Sequence, residues 1–420
     1  MRRRRLSLPF TFPCLLRGLS PAAWSVLVGP LVQLGTPPGG PDWVRACSVR
    51  HEVCVHAPPR TSSSSVLEAL GATDEAWDAL TGPLRLPAPD GDTDGRWHLY
   101  LVDGEPQRSA ELLARDPVAR FDRASSFGLA SRSLGGCSLR LAVSRAIARG
   151  ALWRAGPATD EGSAVAEVET VARLATPCAA PEQDEDAAAF QEEPERNILA
   201  VAPPGPGAFN RGASLFFRWL DQSFGTQPGA IVEGLWALAP TKTPAGAARW
   251  AGSPTGFDVL RVSLAGALGT ESDLDDLLLQ FAIDRATTSP PPRPAWRVAW
   301  PSQARRFASP QPVAPTGASY VWIDHAGAPA GASLQLEATW EDYARMRWAV
   351  VKVDAAGHRT AIVPISTQRL ATSAAITVEM LDGVDHLLVA GANVGSTDHS
   401  FDPDQGWWEP HGWLLTIQAR

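Results

Sequence analysis

The chain has 420 residues, of which 45% are hydrophobic and 20% charged, with a formal net charge of -8. This is ordinary globular composition with room for about two or three domains, and the acidic balance lacks the basic face with which nucleic-acid binders displace counterions from phosphates. Lysine occurs only at Lys242 and Lys352, and this arginine skew, with abundant Ala, Gly and Pro, reflects genomic base composition rather than guanidinium chemistry.

Residues 1–40 form a leader, in which arginines 2–5 precede an apolar run broken by Pro9 and Pro13, followed by AAWSVLVGPLVQLG. That order suggests a secretion signal, although Arg17 interrupts it and no small-x-small cleavage site follows; a start codon placed too far upstream is the alternative. No later stretch offers about 18 uninterrupted apolar residues, so no integral membrane domain is expected. The expected localisation is secreted, periplasmic or cell surface. Cys14 lies in the leader, leaving Cys47, Cys54, Cys137 and Cys178. An even set in an exported chain favours two disulfides, Cys47 with Cys54 and Cys137 with Cys178, against the alternative of buried free thiols.

From Val44 the segment RHEVCVH reads as a strand. Its His51 and His56 are five apart, about 140° around a helix and on opposite faces of a strand, so they form no two-histidine clamp. SSVLEALGATDEAWDAL predicts a helix over 65–80, with Val66, Leu67, Leu70, Trp77 and Leu80 as its stripe and Ser65 with Glu68 as a capping box. GRWHLYLVDG is apolar on both sides and predicts a central strand. Two helices follow within the span 137–178. The first repeats Leu139, Val143, Ile147 and Ala151 every four residues; the second is capped by Thr159 or Asp160 and buries Ala164, Val168, Val171 and Leu174.

Residues 179–196 are acidic without an apolar face, and read as a mobile linker or lid. Helices resume with FNRGASLFFRWLDQSFG, in which Phe216, Trp219, Leu220 and Phe224 face inward, then PGAIVEGLWALAP, 257–268 and 274–281. Proline-dense sequence near 290 marks a boundary. Strand-length segments with alternating apolar residues then run to the C-terminus, separated by turns such as Gly327, Gly357, Asp382 and Gly383, and suggest a β-sandwich of about seven or eight strands.

YLVD at 100–103, EGSA at 161–164, GASLFFRWL at 212–220 and the closing sandwich, in that order, resemble a group of secreted bacterial zinc metallopeptidases of the HExxH type over residues 44–420. The resemblance implies an α+β fold: a mainly helical, zincin-like domain (41–290), a Pro-rich linker with a first strand (291–315), and an all-β sandwich (316–420). It places HExxH on the first helix of the pair and a glutamate ligand on the second. If SRAIA at 144–148 occupies that position, Ser144 and Ala148 replace the histidines, Arg145 replaces the general base, and Glu161 alone survives. No His lies between His98 and His325, so no shift of register restores the site. A catalytic zinc needs three protein ligands and a water; Arg145 or Arg149 is expected instead to pair with Glu161 or Glu167.

Outside this region, Asp398, Asp402 and Asp404 in STDHSFDPDQGWWEPHG could supply oxygen ligands to calcium, although the spacing matches no EF-hand and a hairpin loop with capped amides is the favoured reading. Trp407, Trp408 and Trp413, among 16 tryptophans, would offer a stacking platform for a sugar or protein partner if exposed. There is no GxSxG elbow, phosphate-cradling loop or dinucleotide fingerprint. Together these observations predict an exported, catalytically inactive metallopeptidase-like protein without a cofactor, acting in binding or in the envelope. The alternatives are an active hydrolase with a non-standard site and a carbohydrate-binding protein working through the sandwich.

Overall fold

The computed structural model describes residues 34–106, 109–113, 125–155, 161–201, 207–238, 257, 260, 274–365, 371–379, 381–395 and 409–420. Its first half is built on a six-stranded sheet of β1 (Leu34–Gly35), β2 (Val44–Cys47), β3 (Val53–Ala57), β4 (Trp97–Val102), β5 (Ala110–Leu113) and β6 (Ser126–Ser131), in the order β1-β5-β6-β4-β3-β2. β3, β4 and β6 run parallel, β2 and β5 antiparallel to their neighbours β3 and β6. β4 is central, and residues 97–101 are all buried, as its two apolar sides predict.

One face of this sheet carries α1 (Ser63–Thr81) and α2 (Gly136–Ala155). The cap of α1 is Ser62, whose Oγ accepts from the Ser65 N–H at 3.1 Å. Glu68, the expected capping-box partner, instead accepts from the Gly136 N–H at 2.8 Å and fixes the start of α2. Gly136 sits at φ 56°, in the left-handed region that favours glycine. Leu67 is exposed, because the buried stripe of α1 runs through Val66, Ala69, Thr73, Ala76, Trp77 and Leu80.

Behind α2 stand α3 (Glu161–Ala175), α4 (Pro181–Glu192), α5 (Ala208–Gly212), α6 (Ser214–Phe224) and α7 (Ala230–Leu238), followed by α8 (Leu274–Arg285). The caps expected for α3 at Thr159 and Asp160 and most of the helix expected at 257–268 lie outside the described residues. α4 corrects the expectation of a mobile linker. Phe190 is fully buried, and the buried Arg285 guanidinium lies 3.8 Å over its ring and donates to Gln191 Oε1 at 2.7 Å. Phe190 and the Arg285 cation dock the C-terminal end of a helix that has no apolar stripe.

After α8 the chain forms β7 (Trp296–Val298), β8 (Arg305–Ala308), β9 (Ala318–Asp324), β10 (Leu334–Trp340), β11 (Met346–Val353), β12 (Arg359–Ile365), β13 (Ser373–Val378), β14 (His386–Asn393) and β15 (Trp413–Ala419). They make a four-stranded sheet, β13-β10-β15-β8, and a five-stranded sheet, β12-β11-β14-β9-β7. Leu334, Leu336, Trp348, Val350, Leu415 and Ile417 fill the space between them. The alternate residues Ala349, Val351, Leu388, Ala390 and Tyr320 point the other way into the core of the helical half. Tyr320 Oη donates to the Ala282 carbonyl of α8 at 2.9 Å, and Arg345 pairs with Asp275. The middle strands β9, β11 and β14 of the five-stranded sheet are therefore buried on both faces, and an apolar interface joins the two halves.

The face of the first sheet turned away from the helices has its own polar arrangement. Register sets Cys47 beside Cys54 and Cys54 beside His98, and one row further on it sets Arg45 beside His56 and His56 beside Tyr100. His56 Nε2 and His98 Nδ1 are 2.9 Å apart, and His98 Nε2 lies 3.1 Å from Asp94 Oδ1. Burial, then the neighbouring His98 and Arg45, lower the His56 pKa from 6.5 to about 4, against the pull of Asp94. An unfolded His56 takes its proton near pH 6.5 and the folded one only near 4, so stability is lost as pH falls through that window. Denaturant titrations between pH 7 and 4 are expected to show this loss, with a shallower slope in His56→Gln.

Candidate functional site

The Cys137–Cys178 disulfide ties the start of α2 to the residues just beyond α3, with Cα atoms 6.0 Å apart. Between these helices lies a cavity of about 400 Å³. From α2 it is lined by Ser138, Ala142, Arg145 and Arg149, spaced four, three and four apart and hence on one helical face. From α3 it takes Glu161, Val165, Val168 and Glu169, and it is closed by Leu129 and Ser131 of β6, Glu182 of α4 and Arg211 of α5.

The cavity wall is an ion-pair network. Arg145 grips Glu169 in a fork, Nε to Oε2 at 2.5 Å and Nη2 to Oε1 at 2.9 Å. Arg173, four residues after Glu169 on α3, reaches its Oε1 at 2.5 Å and Asp186 Oδ2 at 3.2 Å. Arg211 meets Asp186 Oδ1 at 2.9 Å, and Arg145 stands 3.6 Å from Oδ2. The Glu169 and Asp186 side chains are only 1% and 0% exposed. At the cavity's other end Arg149 Nη2 lies 2.5 Å from Glu161 Oε2, and its guanidinium covers the Trp153 ring at 4.9 Å.

The charges follow from this geometry. Burial alone would raise the Glu169 carboxyl, but the hydrogen bond and charge of Arg145, joined by Arg173, outweigh it and hold the group below the usual carboxylate range. For Asp186 burial wins: its pKa is raised despite Arg211 and Arg145, and the nearby Glu169 pushes the same way. Arg145 also loses by burial, but the Glu169 hydrogen bond and charge more than restore its cationic form.

Of the four residues assigned from SRAIA and EGSA, only Arg145 and Glu161 line the cavity. Ser144 is fully buried on another side of α2 with its Oγ 2.6 Å from Thr176 Oγ1, and Ala148 is in the core. The expectation for these two is corrected by helix geometry. The pair four apart on the cavity face is Arg145 and Arg149. The expected Arg149–Glu161 pair is present. Glu167 points elsewhere and accepts from Trp236 Nε1 at 2.8 Å. Glu169 and Asp186 were not singled out, although Glu169 four residues before Arg173 is a helical ion-pair spacing.

These residues do not fit a catalytic zinc. The two side chains placed as a clamp are guanidinium cations, each already bound to a carboxylate that a metal would have to claim. Among the described residues, no group of three or more His, Cys, Asp or Glu could hold a metal ion.

The other expected sites divide. Both disulfides form as expected, Cys47–Cys54 and Cys137–Cys178. Asp398, Asp402, Asp404, Trp407 and Trp408 lie outside the described residues. Trp413 is not a surface residue. Alternation along β15 turns Trp413, Leu415 and Ile417 into the sandwich, where Trp413 is 2% exposed and meets Trp348 edge-on at 5.6 Å.

No protein-family model matches the chain, and no curated protein matches it. Over 31% of its length it is similar to 97% of the pre-peptidase C-terminal domain of collagenase from Bacillus anthracis, at 8% identity and TM-score 0.20. Over 28% of its length it is similar to 17% of the enzymatically active domain of bacteriophage CBA120 tailspike protein 4, at 10% identity and TM-score 0.19. Likenesses this slight assign no activity.

Because Asp186 meets three arginines from three helices, Asp186→Ala is expected to destabilise the protein by about 3–5 kcal/mol, the cost of breaking a buried ion pair. Limited proteolysis of this variant is expected to cut first within 181–192, where α4 loses its polar anchor.

Proposed function

We propose that this chain is an exported, catalytically inactive relative of the HExxH zinc metallopeptidases, keeping a zincin-like helix pair as a scaffold for binding or an envelope role. The observation that carries this reading is that Arg145 and Arg149, the cavity-facing residues four apart on α2, are each locked to a carboxylate of α3. Two histidines four apart on a helix face a metal together, and a glutamate from the next helix completes such a site. Here the same three places hold Arg145, Arg149 and Glu161, so the charge a metal would supply comes from guanidinium groups. The two disulfides fit an oxidising compartment. No described helix is long and apolar enough to cross a membrane.

The chain's own residues then act as structure and recognition rather than chemistry. Arg145 and Arg149 hold α3 against α2, while Leu129, Val165 and Val168 give the cavity an apolar side and Ser131 and Ser138 a polar one. Mass-spectrometric metal analysis and a casein-cleavage assay of the purified protein test this reading. It requires zinc far below one per chain and no cleavage; stoichiometric zinc that is lost in Glu161→Gln would overturn it. Restoring the motif in a triple variant, Arg145→His, Ala146→Glu and Arg149→His, is expected to create stoichiometric zinc binding. A folded triple variant that ignores zinc would count against descent from a metal site.

A further inference from the structure

We infer that the Cys47–Cys54 disulfide is a thiol-exchange site, whose substrate is a small thiol or dithiol reductant. The two cysteines are direct partners on the antiparallel strands β2 and β3. Cys47 is partly exposed and Cys54 fully buried, so an incoming thiolate meets Cys47 first. One guanidinium serves both sulfurs: Arg45 Nε donates to Cys47 Sγ at 3.2 Å and its Nη2 to Cys54 Sγ at 3.2 Å. Arg96 Nη1 adds a longer contact to Cys54 Sγ at 3.9 Å.

A disulfide sulfur is a weak acceptor and does not need two charged donors. A thiolate does, because burial raises the pKa of a thiol and a neighbouring cation lowers it. The arrangement is complementary to the reduced pair. Attack on Cys47 Sγ forms a mixed disulfide and expels Cys54 as thiolate onto Arg45 and Arg96. The second thiol of a dithiol reductant then attacks its own bonded sulfur and expels Cys47 as thiolate, again onto Arg45. Two electrons pass to the protein, the reductant closes into its own disulfide, and its two protons go to solvent or to the new thiolates. Lowering the leaving thiol's pKa accelerates exchange.

The surrounding charges set the size of the effect. Asp94 Oδ2 holds Arg45 Nη2 at 2.8 Å and partly neutralises it, while Glu52 lies 3.5 Å from Arg96. His98 is the register partner of Cys54 on β4, and His56 stands next to Arg45; both are shifted toward the neutral form by burial. Arg45 is thus the principal positive charge on the sulfurs. Cys137–Cys178 provides an internal reference, since among the described residues no guanidinium donates to either of its sulfurs. β2 is the edge of its sheet, with β3 as its strand neighbour, so reduction frees an edge strand from its covalent tie.

The test uses the oxidised full chain treated with dithiothreitol at pH 7, acid-quenched, alkylated and read by peptide mass spectrometry for each disulfide separately. Cys47–Cys54 is expected to open about tenfold faster than Cys137–Cys178, and Arg45→Met to slow it about tenfold. The Cys137–Cys178 rate and the circular dichroism spectrum of the variant should stay unchanged. Asp94→Asn, which strips Arg45 of its counter-charge, is expected to speed opening of Cys47–Cys54. Prior reduction of Cys137–Cys178 in the native protein, or rates for Cys47–Cys54 unaffected by both variants, would overturn the inference.

Discussion

Two carboxylates buried among helices, Glu169 and Asp186, are the constraint around which the first half of the molecule is arranged. A carboxylate removed from water is costly unless charged donors meet it in good geometry. Here the donors come from three helices: Arg145 from α2, Arg173 from α3 and Arg211 from α5, with Asp186 itself supplied by α4. No single helix can satisfy either group, so the four must pack together for any of these charges to be buried. The disulfide at the ends of the α2–α3 pair limits how far they can separate, and Arg149 with Glu161 pins the opposite end.

The rest of the chain leans on this arrangement through α4. Once Asp186 and Phe190 are seated, Gln191 is placed to receive the buried Arg285 of α8, and the Arg293 N–H bonds the Gln191 carbonyl at 2.9 Å. Just beyond, the carbonyls of Pro194 and Glu195 accept from Ala318 and Ala314, each at 2.8 Å. The sandwich is therefore stitched to the end of α4 by backbone hydrogen bonds as well as through the apolar face of its five-stranded sheet. The proline-dense segment near 290 marks a change of secondary structure within a shared core, so contacts run across it.

What was legible in the sequence was whatever has a local period. The central strand 97–102, the helices over 63–81 and 136–155, the alternation along β10 and β15 and the pairing of the cysteines all agree with the structure. What was not legible depends on partners distant in the chain. α4 reads as solvated because its acidic residues outnumber its apolar ones, and only Arg173 and Arg211 explain why Asp186 is inside. Ser144 and Ala148 do not face the cavity: α2 is buried almost all round, so its sequence does not say which face meets α3. Trp413 was grouped with its neighbours in sequence, whereas alternation along β15 separates it from the surface.

Ion pairs thus join the walls of the cavity between α2 and α3. A double-mutant cycle between Arg145 and Glu169, measured by denaturant unfolding of Arg145→Met, Glu169→Leu and the pair, tests this most directly. Each single change is expected to cost about 2–4 kcal/mol, and the double variant less than their sum by about 2 kcal/mol or more, since the interaction between the two is lost only once. Additivity within about 0.5 kcal/mol would contradict it, because residues that do not depend on each other add.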